Sequence, residues 1–375
     1  MAMTSFFPYA LFSALMIALG WVVVKSSKFY QNLTVLSQSN RFPCIDGLRG
    51  FLAFGVMVHH SICYYYLFQF GRWDSGTAFY GGLGTHGVSL FFMITGLLFW
   101  NKVMTNRGCL KLKPFFLARL RRIAPMYYFS AFIVLLLIGV RSRWQLQTSV
   151  HEFAHEILRI LSGGWSGYGE INKSGNNILN GVYWTLKLEW RFYLALPFVA
   201  WLVYGRCILT ALAVVGVFLL CQFVTREVCY FQFVLGAFAA EIVVRAKFVK
   251  YLQSRWASAL ALAALIFTFK VIGADYSWPQ SLALFVFFVC VAAGNSLFGL
   301  LTLPGATFLG VISYSVYLIH MSLLFIGFSL LDQFYPVSTL GVWSCWALIL
   351  GIGAWTLVTS ALTYRFVEYR YMKAR

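Results

Sequence analysis

Histidine is scarce in this chain, with six residues, and His60 has the most informative setting. It follows Arg49 by eleven residues. On an α-helix that separation is three turns plus about 20°, with a rise of about 16 Å, so the guanidinium and the imidazole project the same way. The rise is about the reach of an extended pantetheine arm. A neutral imidazole at that depth could act as general base toward a hydroxyl or carry an acyl group as a nucleophile, while the arginine marks one mouth of the same stripe.

Other groups could join them. Arg119 and Arg122 are three apart in RLRRIAPMYY and share a helix face, with Arg121 beside them; guanidinium groups bind phosphate bidentately and stay charged. Ser313, Tyr317 and His320 form a polar stripe on an otherwise apolar helix in ISYSVYLIHMS, either facing a cavity or joining two helices by hydrogen bonds. In WTLKLEWRFY, Lys187 and Arg191 share a face and Glu189 turns away from both, so this carboxylate needs a different partner or a polar cavity and is a further catalytic candidate. Glu241 precedes Arg245 by four residues and is expected to pair with it. His151, Glu152 and His155 spell H-E-x-x-H, the zinc-protease pattern. No clear third ligand follows, the nearest carboxylate being Glu170, so a metalloprotease is a remote alternative and no metal is expected.

These groups must be positioned by membrane-spanning helices. Hydrophobic residues make up 61% and charged residues 11% of the 375, against roughly 25% charged in soluble domains, and mean hydropathy is +0.76. A separate water-soluble domain is excluded. Apolar windows at 6–24, 50–70, 86–104, 123–140, 183–204, 207–224, 228–244, 256–274, 280–300, 308–330 and 341–363 are each long enough to cross a bilayer as a helix. An all-α integral membrane fold with eleven spans is expected. No internal repeat suggests a transporter built from two related halves.

The net charge of +18 is distributed unevenly between the spans. One side collects Lys25, Lys28, Arg41 and Arg49, the cluster from Lys102 to Arg122, Arg206, the group from Arg245 to Arg255, and Arg365 to Arg375; the other holds Arg72, Arg141, Arg143, Arg159, Lys173 and Arg226. The positive-inside rule then puts the C-terminus inside and the N-terminus outside, and the surplus needs no nucleic acid as its partner. The first window has its basic residues after the apolar run, so residues 1–40 read as a retained anchor helix and linker. The eight cysteines have no metal-ligand spacing and require no disulfide framework.

Two polar stretches remain. The inner one, 106–122, is a compact basic segment. The outer one, about 141–182, opens with the amphipathic VHEFAHEILRIL, an expected interfacial helix, and continues as a Gly/Asn-rich flexible lid. Trp165, Tyr168 and Trp184 in or beside it could stack on sugar rings.

Five blocks, in order DGLRGFLAFGVMVHH, GTHGVSLFFMITGLL, FLARLRRIAPMYY, YWTLKLEWRFYLALP and ISYSVYLIHMSLL, together resemble the membrane-bound acyltransferase 3 family, which moves acyl groups, usually acetyl, onto sugars. The resemblance runs from about Phe42 to the C-terminus, so 41–375 is expected to be the acyltransferase domain, a ten-helix bundle with one extra helix before it. It implies Arg49 and His60 as the paired active-site motif and Arg119 and Arg122 as the acyl-CoA-binding motif, to which Arg121 beside them would add a further phosphate contact. Acetyl-CoA would be the donor. The acceptor would be a cell-surface glycan or a lipid-linked precursor, such as lipopolysaccharide O-antigen, contacted by His320, Tyr317 and Trp184. The expected location is the bacterial cytoplasmic membrane, among its lipids. No esterase-like domain follows the last window, so the chain is expected to deliver the acyl group itself or pass it to a separate protein. The competing reading is a glycolipid or solute transporter, for which the intramembrane His, Lys and Glu would be translocation contacts. The enzyme reading requires a tunnel with guanidinium groups at its entrance and an imidazole halfway along.

Overall fold

The computed structural model describes residues 6–39, 41–163, 165, 170–173, 182–204, 228–245 and 247–372. They form helices, with no strand among the described residues. In chain order these are α1 (Phe6–Ser26), α2 (Lys28–Gln38), α3 (Pro43–Phe70), α4 (Ala78–Thr105), α5 (Leu112–Arg141), α6 (Val150–Leu161), α7 (Trp184–Tyr204), α8 (Cys229–Arg245), α9 (Arg255–Ile272), α10 (Trp278–Ala292), α11 (Pro304–Val311), α12 (Ser313–Phe334) and α13 (Val342–Met372). Helices α1, α3, α4, α5, α9, α12 and α13 are long and apolar enough to cross a membrane. The chain is an all-α, multi-pass membrane protein. Helix α7 has 21 residues but carries three charges, and α8 and α10 are shorter, at 17 and 15 residues. The apolar window 207–224 lies outside the described residues.

Local chemistry sets several helix ends. Pro43 occupies the first turn of α3, where a missing N–H costs nothing, and Gly71 closes that helix in the left-handed region at φ 66°. The Thr77 side chain accepts from the Tyr80 N–H to start α4. The amphipathic run begins α6 with a capping box between Ser149 and Glu152.

Four boundaries differ from the hydropathy reading. The segment read as a linker is α2, which buries Tyr30, Thr34 and Ser37 at offsets of four and seven, one helix face. Helix α5 starts at Leu112 rather than 123, so Arg119, Arg121 and Arg122 sit well inside the helix rather than at its entry; Leu, Arg and Lys extend helices well although they end an apolar window. The last window likewise ends at 363, but α13 continues through a π-helical turn, Tyr364–Glu368, to Met372. The window at 308–330 is broken at Ile312 between α11 and α12.

Close packing replaces the hydrophobic effect as the organising force between helices in lipid, which favours small residues at contacts. A Cβ on Gly310 of α11 would lie 1.7 Å from the Asp46 carbonyl oxygen of α3, and one on Gly96 of α4 would lie 2.1 Å from that of Phe233 in α8. Such crossings hold α3 and α4 in the centre. Helix α1 is seated too: a Cβ on Gly305 would be 2.1 Å from the Ile17 carbonyl oxygen, so α1 is packed into the bundle and not a detached anchor.

Candidate active site

Helices α2, α3, α4, α5, α7, α12 and the end of α13 surround a cavity of about 910 Å³, at the upper end of the range for ligand pockets. Arg41, Arg49, Arg119, Arg121 and Arg122 line it, against two carboxylates, Asp46 and Glu189. Phe91, Phe92, Phe99, Tyr193, Tyr314 and Tyr317 supply apolar and aromatic wall. A positive, partly apolar chamber suits a ligand with an anionic end and a less polar arm.

The polar partners in this chamber come both from within helices and from across them. Arg49 contacts Asp46 Oδ1 at 3.1 Å, and Ser37 of α2 donates to the other oxygen of Asp46. Arg122 reaches Glu368 Oε2 at 2.8 Å, and Ser315 of α12 donates to Oε1 of that carboxylate. The Glu368 side chain is fully buried, so the pair is tolerated only because charge and hydrogen bonds meet it together. Arg119 lies over the Phe99 ring, 4.7 Å from its centroid, and its buried Nε has no hydrogen-bond partner among the described residues. The Tyr193 hydroxyl donates to Glu189 at 3.0 Å.

The cavity reaches Tyr317, whose hydroxyl is 3.2 Å from that of Thr185. Beyond it lie two imidazoles in contact: His60 Nδ1 is 2.9 Å from His320 Nε2, with the rings stacked at 26°. Their tautomers follow from acceptor chemistry. His320 Nδ1 is 3.0 Å from the Val316 carbonyl oxygen, which can only accept, so that nitrogen carries a proton, and with the ring neutral His320 Nε2 is an acceptor. His60 must then donate from Nδ1, which leaves a lone pair on its Nε2. That is the form a general base or nucleophile requires. The ring of Trp73, in the α3–α4 connection, sits 6.2 Å from His60.

The sequence profile described as an acyltransferase domain matches residues 42–365, which include most of the cavity lining, Tyr317 and both imidazoles. The chain belongs to the acyltransferase 3 family. Relatives in this family include a Staphylococcus aureus (strain COL) protein named "Putative O-acetyltransferase", 22% identical over 92% of this chain and 59% of its own length. The Bacillus subtilis (strain 168) "Putative peptidoglycan O-acetyltransferase YrhL" is 23% identical over 88% of this chain and 55% of its own. The "O-acetyltransferase OatA" of S. aureus (strain NCTC 8325 / PS 47) is 22% identical over 91% and 59%. The chain thus spans between 55% and 59% of the length of these three relatives. No solved structure matches the chain at a significant level.

Against this family background the candidates divide into two groups. Arg49, Arg119, Arg121, Arg122, Glu189 and Tyr317 share the cavity wall. His60 and His320 are not among the residues lining it; Tyr317 in its wall lies 6.1 Å, ring to ring, from His320. His320, expected as a substrate contact, is bonded to His60 itself. Trp184 packs edge-on to Phe92 and Tyr276, with centroids 6.3 and 6.0 Å away, next to the cavity-lining Thr185. Glu241 does pair with Arg245, at 2.7 Å. In the H-E-x-x-H segment Glu152 caps α6, accepting from the Ser149 N–H at 3.1 Å, and no group of three potential metal ligands occurs among the described residues. Of the proposed lid, Trp165 is described and exposed, whereas Tyr168 and 174–181 lie outside the described residues. Hydropathy reading missed Glu368, Asp46, Ser37 and Trp73. Glu368 had a signal: a lone carboxylate in the basic, aromatic run TYRFVEYRYMKAR.

Proposed function

We propose that the protein transfers an acetyl group from acetyl-CoA to a hydroxyl of a cell-surface glycan or lipid-linked saccharide. The observation that carries this reading is the juxtaposition of an arginine-lined cavity of about 910 Å³ with a hydrogen-bonded histidine pair directly behind its Tyr317 wall. The relatives' names support an O-acetyl transfer, and one of them names peptidoglycan as the acceptor, which favours a surface glycan here. The basic residues at the cavity end favour a cytosolic donor side by the positive-inside rule. On that reading the C-terminus is inside, the N-terminus outside, and the membrane is the bacterial cytoplasmic one.

Arg119, Arg121 and Arg122 would hold the donor's phosphates, and Arg49 would guide the pantetheine arm toward Tyr317. Rotation of the Tyr317 ring would connect the thioester with His60. His60 Nε2 takes the proton of the acceptor hydroxyl, whose oxygen attacks the thioester carbonyl carbon. The C–S bond breaks, and the imidazolium returns its proton to the departing thiolate. His320 keeps His60 in the correct tautomer and shares the transient charge, and Trp73 offers an aromatic face on the acceptor side.

Purified protein in nanodiscs with radiolabelled acetyl-CoA and a surface-polysaccharide acceptor tests the reading. Label is expected on the glycan, dependent on His60. Movement of glycan or solute without label transfer would instead identify a transporter.

A further inference from the structure

Leu33, Leu36, Ser37, Ser39 and Arg41 line the cavity, yet all precede the family match at residues 42–365. We propose that α2 and the turn after it are a built part of the donor site: Ser37 is a positioning residue for Arg49, and Arg41 is the contact for the phosphate on the donor's ribose. This rests on the acyl-CoA reading above.

Helix α2 is held firmly enough for that task. The Tyr30 hydroxyl donates to the Ala361 carbonyl at 2.6 Å. Gln38 Nε2 donates to the Thr302 carbonyl at 2.9 Å. Phe29 meets Tyr369 edge-on at 4.9 Å and lies under the Arg365 guanidinium at 5.1 Å. The helix is thereby tied to α13 and to the connection before α11. From this support the buried Ser37 hydroxyl grips one oxygen of Asp46, and the other oxygen holds Arg49 at 3.1 Å. A carboxylate fixed at both oxygens orients its arginine; freed at one, it rotates.

Arg41 stands apart from the other cavity arginines. It is exposed while Arg119, Arg121 and Arg122 are half-buried, so it belongs to the rim. It forms no ion pair among the described residues, resting only 5.8 Å from the Phe42 ring centroid. Acyl-CoA carries its pyrophosphate next to the pantetheine arm and a separate 3′-phosphate on the ribose. With the arm and pyrophosphate inside among the α5 arginines, the 3′-phosphate falls at the rim, where a guanidinium without a carboxylate partner attracts it.

The test is competition binding to the full-length protein in nanodiscs with acetyl-CoA, CoA and 3′-dephospho-CoA. Wild type is expected to bind CoA about fivefold tighter than 3′-dephospho-CoA, the modest size reflecting an exposed contact. Arg41→Ala is expected to bind the two equally, with affinity for 3′-dephospho-CoA unchanged; that unchanged affinity also reports an intact fold. Ser37→Ala is expected to weaken all three ligands about threefold and to raise KM for acetyl-CoA without lowering kcat, and Ser37→Thr, which keeps the hydroxyl, to restore both. If Arg41→Ala keeps the wild-type preference, or Ser37→Ala binds as wild type, the role of α2 is overturned while the donor reading stands. If wild type binds none of the three, both fall.

Discussion

Two polar regions meet at Tyr317, which lines the one and neighbours the other, and they solve the problem of polarity inside a membrane differently. On one side is a chamber of about 910 Å³ walled by five arginines, two of them tied to carboxylates, Arg49 to Asp46 and Arg122 to Glu368. On the other is a small neutral assembly in which His60 donates to His320 and His320 to the Val316 carbonyl. The first keeps fixed charge, suited to holding an anion. With both rings neutral, the second keeps a lone pair on His60 Nε2, suited to moving a proton. On the proposed reading, binding falls to the first region and chemistry to the second, and substitutions on the two sides should fail in different ways.

The largest effect is expected from His60→Ala, which removes the reacting lone pair. Transfer of labelled acetyl should fall by about a thousandfold or more, with membrane abundance and acetyl-CoA affinity retained. Full activity would remove His60 from the mechanism. His320→Ala should lower kcat by about a hundredfold with KM little changed, because His60 loses the acceptor that sets its tautomer. His320→Gln, whose amide oxygen can accept the Nδ1–H, should recover much of that loss; equal defects in the two variants would break the tautomer argument.

On the cavity side the signature reverses. Arg122→Ala should raise KM for acetyl-CoA about tenfold while kcat changes little. Glu368→Gln should weaken the donor less but destabilise the protein by about 3 kcal/mol, since it strands a guanidinium whose partner was buried; a thermal melt of the detergent-purified variant reads this. The smallest effect is expected far from both regions. Glu152 is held below the ordinary carboxylate range by its bonds to the Ser149 N–H and hydroxyl. That contribution to α6 is present above the ordinary carboxylate pKa and is lost as pH falls through the lowered value. Hydrogen exchange of the α6 amides should therefore quicken at acid pH in wild type, and at neutral pH in Glu152→Ala, with acetyl transfer unaltered. A loss of transfer in Glu152→Ala would instead revive a catalytic role for the HEFAH segment.

Much of this arrangement could be read from local pattern. Helical periodicity alone put Arg49 and His60 on one stripe of α3, Arg119 and Arg122 on one face of α5, and Ser313, Tyr317 and His320 on one stripe of α12, of which Ser313 and Tyr317 line the cavity. Hydropathy located the apolar helices because a lipid solvent punishes any exposed polar run. It misjudged where helices end, since a helix continues past the membrane edge wherever Leu, Arg and Lys sustain it. The start of α5 was mistaken for that reason; α2 is a separate polar helix that begins after Ser27, and the tail of α13 runs on through an aromatic and arginine-rich segment, with which Glu368 was lost. Whether Tyr317 bars or admits a ligand was not legible, because it depends on a side-chain rotamer and not on residue spacing.

Residue types and periods determined that this chain spans a membrane as helices, that guanidinium groups gather at one level of it, and that an imidazole stands about 16 Å further along the same helix. Only the tertiary structure decided which groups meet: His60 with His320, 260 residues away, Arg122 with Glu368, 246 residues away, and α2 with the cavity wall. The physical reason is that side-chain direction within a helix follows from a fixed 3.6-residue turn. Contact between helices instead depends on how closely their backbones approach, as the glycine crossings of α3 with α11 and of α4 with α8 allow.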